Sequence, residues 1–196
     1  MKIAIRDFYG DDIKGSESLG RIINEKHFNR LLNILESDKE SLLYGGEYDK
    51  EEKYIAPSII EVKDWNSACM KEEIFGPILP IMSYRDLNQV INDINKQPKP
   101  LALYLFTSDK RVEKKVLNEI SSGGVSINDT ILHLANSNLP FGGVGNSGMG
   151  AYHGEESFRT FSHRKSVLKK GRLFNTTMMY PPYSDKKLMV IKRFFK

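Results

Sequence analysis

Apolar residues recur along the chain at helical and strand spacings in alternation. Phe28, Leu31, Leu32 and Leu35 fall at i, i+3, i+4 and i+7 behind Asn24. Asn24 is a suitable N-cap, because its side chain can accept from the free backbone N–H groups of a first helical turn. Leu87, Val90, Ile91 and Ile94 repeat the spacing behind Asp86, and Pro98 and Pro100 end that helix. Val112, Val116, Leu117 and Ile120 predict a third helix, with Ser108 as its cap. Short apolar runs at 78–84, 101–106 and 125–127 read as strands, and 42–44 and 54–62 are weaker candidates. Strand, helix, strand, helix, strand in succession favours a parallel sheet with crossover helices, most clearly over residues 74–127. Residues 1–9 read as the tail of a helix, so the chain is expected to begin inside a larger domain. The stretch 128–154, rich in Gly, Asn, Ser and Pro, reads as one long loop of the kind that is functional or disordered.

Composition adds exclusions. The chain has 196 residues, 40% hydrophobic and 28% charged, enough for one good-sized domain with appendages. Cys69 is the only cysteine, which excludes an internal disulfide framework. No Cys or second His stands at metal-ligand spacing from His27, His133, His153 or His163, so no metal is expected. No apolar run approaches a bilayer span, and the charges at Lys2, Arg6 and Asp7 come too early for a signal peptide. The expected location is the cytoplasm, where one unpaired thiol stays reduced.

Charge is lopsided. Residues 164–196 hold ten Lys or Arg against Asp185 alone, +9 in all, within a chain of net +4. This tail is either a solvated extension or a basic arm for an anionic surface; no nucleic-acid motif accompanies it, and nucleic acid is not expected as a partner. Residues 188–196 mix apolar and cationic groups, as a docked or frayed terminus does, or a short interfacial helix.

Three segments carry candidate chemistry. Glu72-Glu73-Ile74-Phe75-Gly76-Pro77 makes a tight turn into the strand at Ile78. Glu73 can accept hydrogen bonds from ribose hydroxyls and Phe75 can pack on a planar ring, but spacing alone favours a solvated acid and a core aromatic at a turn. Gly143-Val144-Gly145-Asn146-Ser147-Gly148 fits G-x-G-x-x-G. It is not a dinucleotide fingerprint, because Pro140 precedes it where a strand is required. A loop in which backbone passes close to something fits better. Ser121 to Asp129 carries a strand into polar residues, the end of an α/β sheet where ligands gather, or an ordinary strand-end turn. Cys69 has no histidine near it in sequence and reads as a small apolar filler, and the serine-hydrolase signature G-x-S-x-G is absent.

Taken together these motifs resemble the C-terminal part of an aldehyde dehydrogenase of the class-three-like branch. The resemblance runs through Glu72 to Pro80, Pro100 to Phe106, Ser121 to Asp129, Leu139 to Gly150, Tyr152-His153-Gly154, Phe161 to Arg164 and Tyr180-Pro181-Pro182. It implies an α/β fold with the partly parallel, Rossmann-like sheet of the catalytic domain, truncated at the N-terminus. A partial catalytic domain would span 1–161, a bridging or oligomerisation strand 162–172 and a basic tail 173–196. It also implies NAD or NADP as cofactor and an aldehyde as substrate, oxidised to the acid. In this family a cysteine thiolate attacks the carbonyl, hydride passes to nicotinamide, and a glutamate activates water.

By the same resemblance Glu73 would hold the nicotinamide ribose and Phe75 would pack on the nicotinamide. Ile131, Leu134, Phe141 and His153 would line the aldehyde tunnel. The segments that carry the nucleophile (G-Q-x-C) and the general base (E-x-G-G-K) have no counterpart here. Cys69 stands just before the Glu72-Glu73 motif, whereas the family nucleophile lies well upstream of it. The chain alone is therefore expected to be inactive, with no catalytic residue of its own. The implied partners are a missing N-terminal half, a homo-oligomer or an intact relative on which the chain docks, and peripheral membrane contact through the tail is a further option.

Overall fold

In the computed structural model, which describes residues 1–172, 178 and 180–194, Asn24 does cap a helix. Its side chain accepts from the His27 backbone N–H at 2.9 Å and opens α2, Glu25–Ser37. The chain divides into two compact units, Met1–Val90 and Ile91–Lys196.

The first unit holds α1 (Lys2–Tyr9), α2 and five strands: β1 (Leu42–Tyr44), β2 (Tyr48–Asp49), β3 (Tyr54–Ile55), β4 (Ser58–Glu61) and β5 (Ile78–Ile81). β4 is central, antiparallel to β1 and parallel to β5. Its first three residues are buried, which explains why Ser-Ile-Ile lacks the alternation of a half-exposed strand. The expected strand over 54–62 is in fact two. Tyr54 and Ile55 pair with β2, and the chain breaks at Ala56-Pro57 before β4 begins in the other sheet. Buried Ser58 spans that break, its hydroxyl donating to Ala56 O at 2.7 Å and accepting from Gly46 N at 2.9 Å. Phe28, Leu31, Ile34 and Leu35 of α2 form the core with Ile55, Ile60, Val62, Cys69 and Ile78. Each large side chain there contributes about 1.5–3 kcal/mol by leaving water. Ile34 occupies the buried position expected of Leu32, which is only half-buried.

α3 (Leu87–Asn95) runs across the boundary, its first turn capped by Asp86, which accepts from Asn88 N at 2.9 Å. In the second unit β6 (Ala102–Leu105) and β7 (Gly124–Ile127) pair in parallel, joined by α4 (Lys110–Glu119). The cap of α4 is Asp109 rather than Ser108, accepting from Arg111 N at 2.8 Å, and Leu117 faces solvent. The single ladder expected over 74–127 is two parallel pairs in separate sheets, β4 with β5 and β6 with β7. Asn128 fastens the carboxyl ends of the second pair: its amide accepts from Thr107 N at 2.8 Å and donates to Thr107 O at 3.0 Å.

The stretch after β7 is ordered. It contains α5 (Leu132–Ala135), a 3-10 turn at Gly145–Ser147, an antiparallel bridge between Phe141 and Tyr152, and α6 (Gly154–Thr160). Residues 163–170 are exposed and form no helix or strand. The mixed apolar and cationic end of the chain is a helix, α7 (Asp185–Phe194), rather than a frayed terminus; Phe195 and Lys196 lie outside the described residues. No helix among the described residues is long and apolar enough to cross a membrane.

Candidate functional site

In the first unit, α2 and β5 bracket the turn that carries Glu73 and Phe75. The Arg30 guanidinium reaches from α2 to three consecutive residues: the Glu72 carboxylate at 3.1 Å, the Glu73 carbonyl at 3.2 Å and the Ile74 carbonyl. Phe75 then takes a left-handed backbone with φ of 49°, a conformation that costs a non-glycine residue free energy and persists only where the surroundings impose it. Gly76 follows with no room for a side chain; a Cβ there would sit 2.6 Å from a Leu31 methyl. The result projects Phe75 outward, 81% exposed, with the Glu73 carboxylate also in solvent. The expectation of an ordinary core aromatic at this turn is therefore not met. An exposed planar ring two residues from an exposed carboxylate can stack on a flat polar ring and accept from neighbouring hydroxyls.

In the second unit, Phe141 and His153 come together, their rings 6.3 Å apart and inclined at 30°. The backbones of Phe141 and Tyr152 exchange two hydrogen bonds of 2.9 Å, and their rings meet edge to face. His153 has φ of 91°, and its Nδ1 lies 3.1 Å from Leu139 O, which orients the ring with Nδ1 as donor. Ile131 also has a left-handed backbone, at φ 63°, and starts α5; its carbonyl accepts from Leu134 N at 2.8 Å. A β-branched residue there is a genuine outlier. Ile131 is exposed and Leu134 half-buried.

His133 is a packing element of the same unit. Its two ring nitrogens are buried without a hydrogen-bond partner. Its ring meets Tyr104 and Phe141 at 5.7 and 5.8 Å and lies over Gly124, where a Cβ would come within 2.9 Å of it. Nothing in its sequence context distinguishes a histidine packed between aromatics from one on the surface.

Cys69 is 2% exposed, and Asp38 accepts from its backbone N–H at 3.0 Å. Burial and the Asp38 carboxylate push the thiol from 9.0 up to about 12. The folded state thus favours the protonated thiol. That contribution is whole below pH 9 and is lost as pH rises from 9 towards 12, where the unfolded thiol ionises first. Iodoacetamide at pH 8 is expected to modify native Cys69 about 1000-fold more slowly than the denatured chain, from ionisation alone. Equal rates by mass spectrometry would show an accessible thiolate instead. No cluster of three His, Cys, Asp or Glu among the described residues can hold a metal.

Residues 5–167 match the model of the aldehyde dehydrogenase family. The chain belongs to that family. A rat aldehyde dehydrogenase family 3 member A2 is 48% identical, over 99% of this chain and 40% of its own length. The Staphylococcus aureus AldH structure in its substrate-bound state has a TM-score of 0.84 at 48% identity, covering 100% of this chain and 42% of that one. An NAD+ complex of a Bacillus cereus aldehyde dehydrogenase has a TM-score of 0.69 at 30% identity, covering 79% and 32%. The class-three-like resemblance is thus met, and the chain spans about two-fifths of the length of the curated relatives it matches.

Within the aldehyde dehydrogenase framework, three of the six residues singled out by resemblance, Phe75, Ile131 and His153, carry left-handed backbone. Such outliers collect where a chain must aim a side chain at a ligand. Glu73 and Phe75 belong to the first unit, and the other four to the second.

Proposed function

We propose that this chain is the C-terminal portion of an NAD(P)-dependent aldehyde dehydrogenase active site, cytoplasmic, and inert without the upstream segments that carry nucleophile and general base. The observation that carries the reading is the turn at residues 72–76, which presents an acid and an aromatic ring to solvent at the cost of a left-handed Phe75.

These residues fit one end of the cofactor. Glu73 would accept from the ribose hydroxyls, and Phe75 would pack on the nicotinamide face and limit its rotation. The bound cofactor supplies a hydride acceptor for the aldehyde carbon. Phe141 and His153, with Ile131 and Leu134, would wall the aldehyde path and exclude water from it. The test is assembly with the upstream segments of a class-three relative, read as aldehyde-dependent formation of reduced cofactor. The exposed stretch at 162–172 would supply the strand that joins a second copy, and docking on an intact relative would use the same edge.

A second contact is favoured by α7, in which exposed Leu188 and Met189 lie between Lys186 and the pair Lys192-Arg193, with exposed Phe194 following. This helix would lie on an anionic membrane surface. The chain is expected to cosediment with vesicles containing phosphatidylserine at low salt and not with phosphatidylcholine alone. Equal recovery with both would remove this reading.

A further inference from the structure

Phe75 cannot hold its own backbone conformation. The residue is 81% exposed, so little packing offsets the left-handed φ of 49°. What does hold it lies on α2, in two successive residues. Arg30 binds the acceptors of Glu72, Glu73 and Ile74 with one guanidinium, and the Leu31 side chain abuts Gly76. The turn is thus gripped before and after Phe75. The planar guanidinium fork holds five donors in fixed directions and meets a carboxylate and two carbonyls in one geometry, whereas an ammonium carries its three donors on a single, freely rotating nitrogen.

We propose that Arg30 is a positioning residue for the nicotinamide-riboside end of the cofactor, acting through the turn that carries Glu73 and Phe75. The proposal rests on the reading of those two residues given above. In this proposal Arg30 acts through the turn and not by contact with the cofactor. It sets where the Glu73 carboxylate and the Phe75 ring stand, and so the affinity for the cofactor rather than the handling of the aldehyde.

Two measurements keep this distinct from the functional reading. In the full chain, amide order parameters at residues 73–76 are expected near 0.85 and to fall below about 0.6 in Arg30→Lys and Arg30→Gln. Arg30→Lys retains the charge beside Glu72, so folding is preserved while the fork is lost. Unchanged order parameters in both variants would overturn the proposal. In the enzyme assembled with its upstream segments, Arg30→Lys is expected to raise KM for NAD+ about tenfold or more, with kcat and the aldehyde KM within about threefold. A fall in kcat with unchanged cofactor KM would also overturn it. A wild-type assembly without activity would count against the functional reading, and the order parameters would then decide the role of Arg30 alone.

Discussion

Supplied with an aldehyde and NAD+ or NADP+, the isolated chain is expected to form no reduced cofactor above background. Joined by the upstream segments of a class-three relative, it is expected to reach a turnover on the order of 10 per second. The expectation follows from covalent chemistry. Hydride leaves an aldehyde carbon readily only after a nucleophile has added to it and the resulting oxyanion has been held. The single thiol of this chain is 2% exposed and stays protonated far above neutral pH, so it cannot add. The Gly-rich loop offers no replacement, because its backbone folds upon itself: Val144 N and O both bond to the Ser147 hydroxyl, at 2.9 and 3.0 Å. In the assembly, Glu73→Gln is expected to weaken NAD+ binding about tenfold, since an amide accepts more weakly than a carboxylate from paired hydroxyls. Oxidation by the isolated chain that disappears in Glu73→Ala would show that it carries a complete site and would end the two-part reading.

Helices α2, α3 and α4 were legible in the sequence because each repeats its apolar spacing for at least two turns and begins at a residue able to accept from free amides, whereas α5 and α6, short and without a side-chain cap, fell inside the stretch read as a loop. Where two such residues stood side by side, spacing did not choose: Asp109 caps α4 although Ser108 is equally placed, because the Asp109 carboxylate binds both the backbone and the side chain of Arg111. Strand partners were less legible. Tyr54 to Val62 is one apolar run, but Pro57 has no N–H to give a ladder, and the chain changes sheets there. The parallel pairs were readable as strands and not as neighbours, since nothing local to Ile78 says that it pairs backward with Ser58.

The site divides along the same line. Its motifs were visible as residue types, which is why Glu73, Phe75, Phe141 and His153 could be named. The backbone states that aim them were not. Left-handed φ at Phe75 and Ile131 has no signature in composition, because bulky aromatic and β-branched residues normally avoid it, and the one at His153 is not marked by a neighbouring turn signal that singles it out. Arg30 was hidden for another reason. On a helix surface an arginine reads as solvated, and its three acceptors lie more than forty residues ahead in the chain.

Gly142→Ala is expected to cost on the order of 2–4 kcal/mol and to lower the melting temperature of the second unit by roughly 10 °C or more. A Cβ at Gly142 would collide with the Gly150 carbonyl oxygen and lie 2.8 Å from the Ala151 Cα. Both are backbone, so no rotamer change makes room. Relief requires separating the strands of the Phe141–Tyr152 bridge, which breaks their two backbone hydrogen bonds and parts Phe141 from the His153 ring. The carbonyl of Gly142 also occupies the space in which a Cβ of Gly123 would fall, so movement of one segment loosens its contact with the start of β7. The matching control is Gly171→Ala, whose Cβ would meet nothing within 4 Å, and there the melting curve followed by circular dichroism is expected to stay within 1 kcal/mol. In the assembled enzyme the same Gly142→Ala change should raise the aldehyde KM more than the cofactor KM, because it displaces Phe141 and His153 and leaves the turn at Glu73 and Phe75 intact. If the two variants melted alike, the packing at Gly142 would not be what fixes the loop, and the placement of Phe141 against His153 would need another cause.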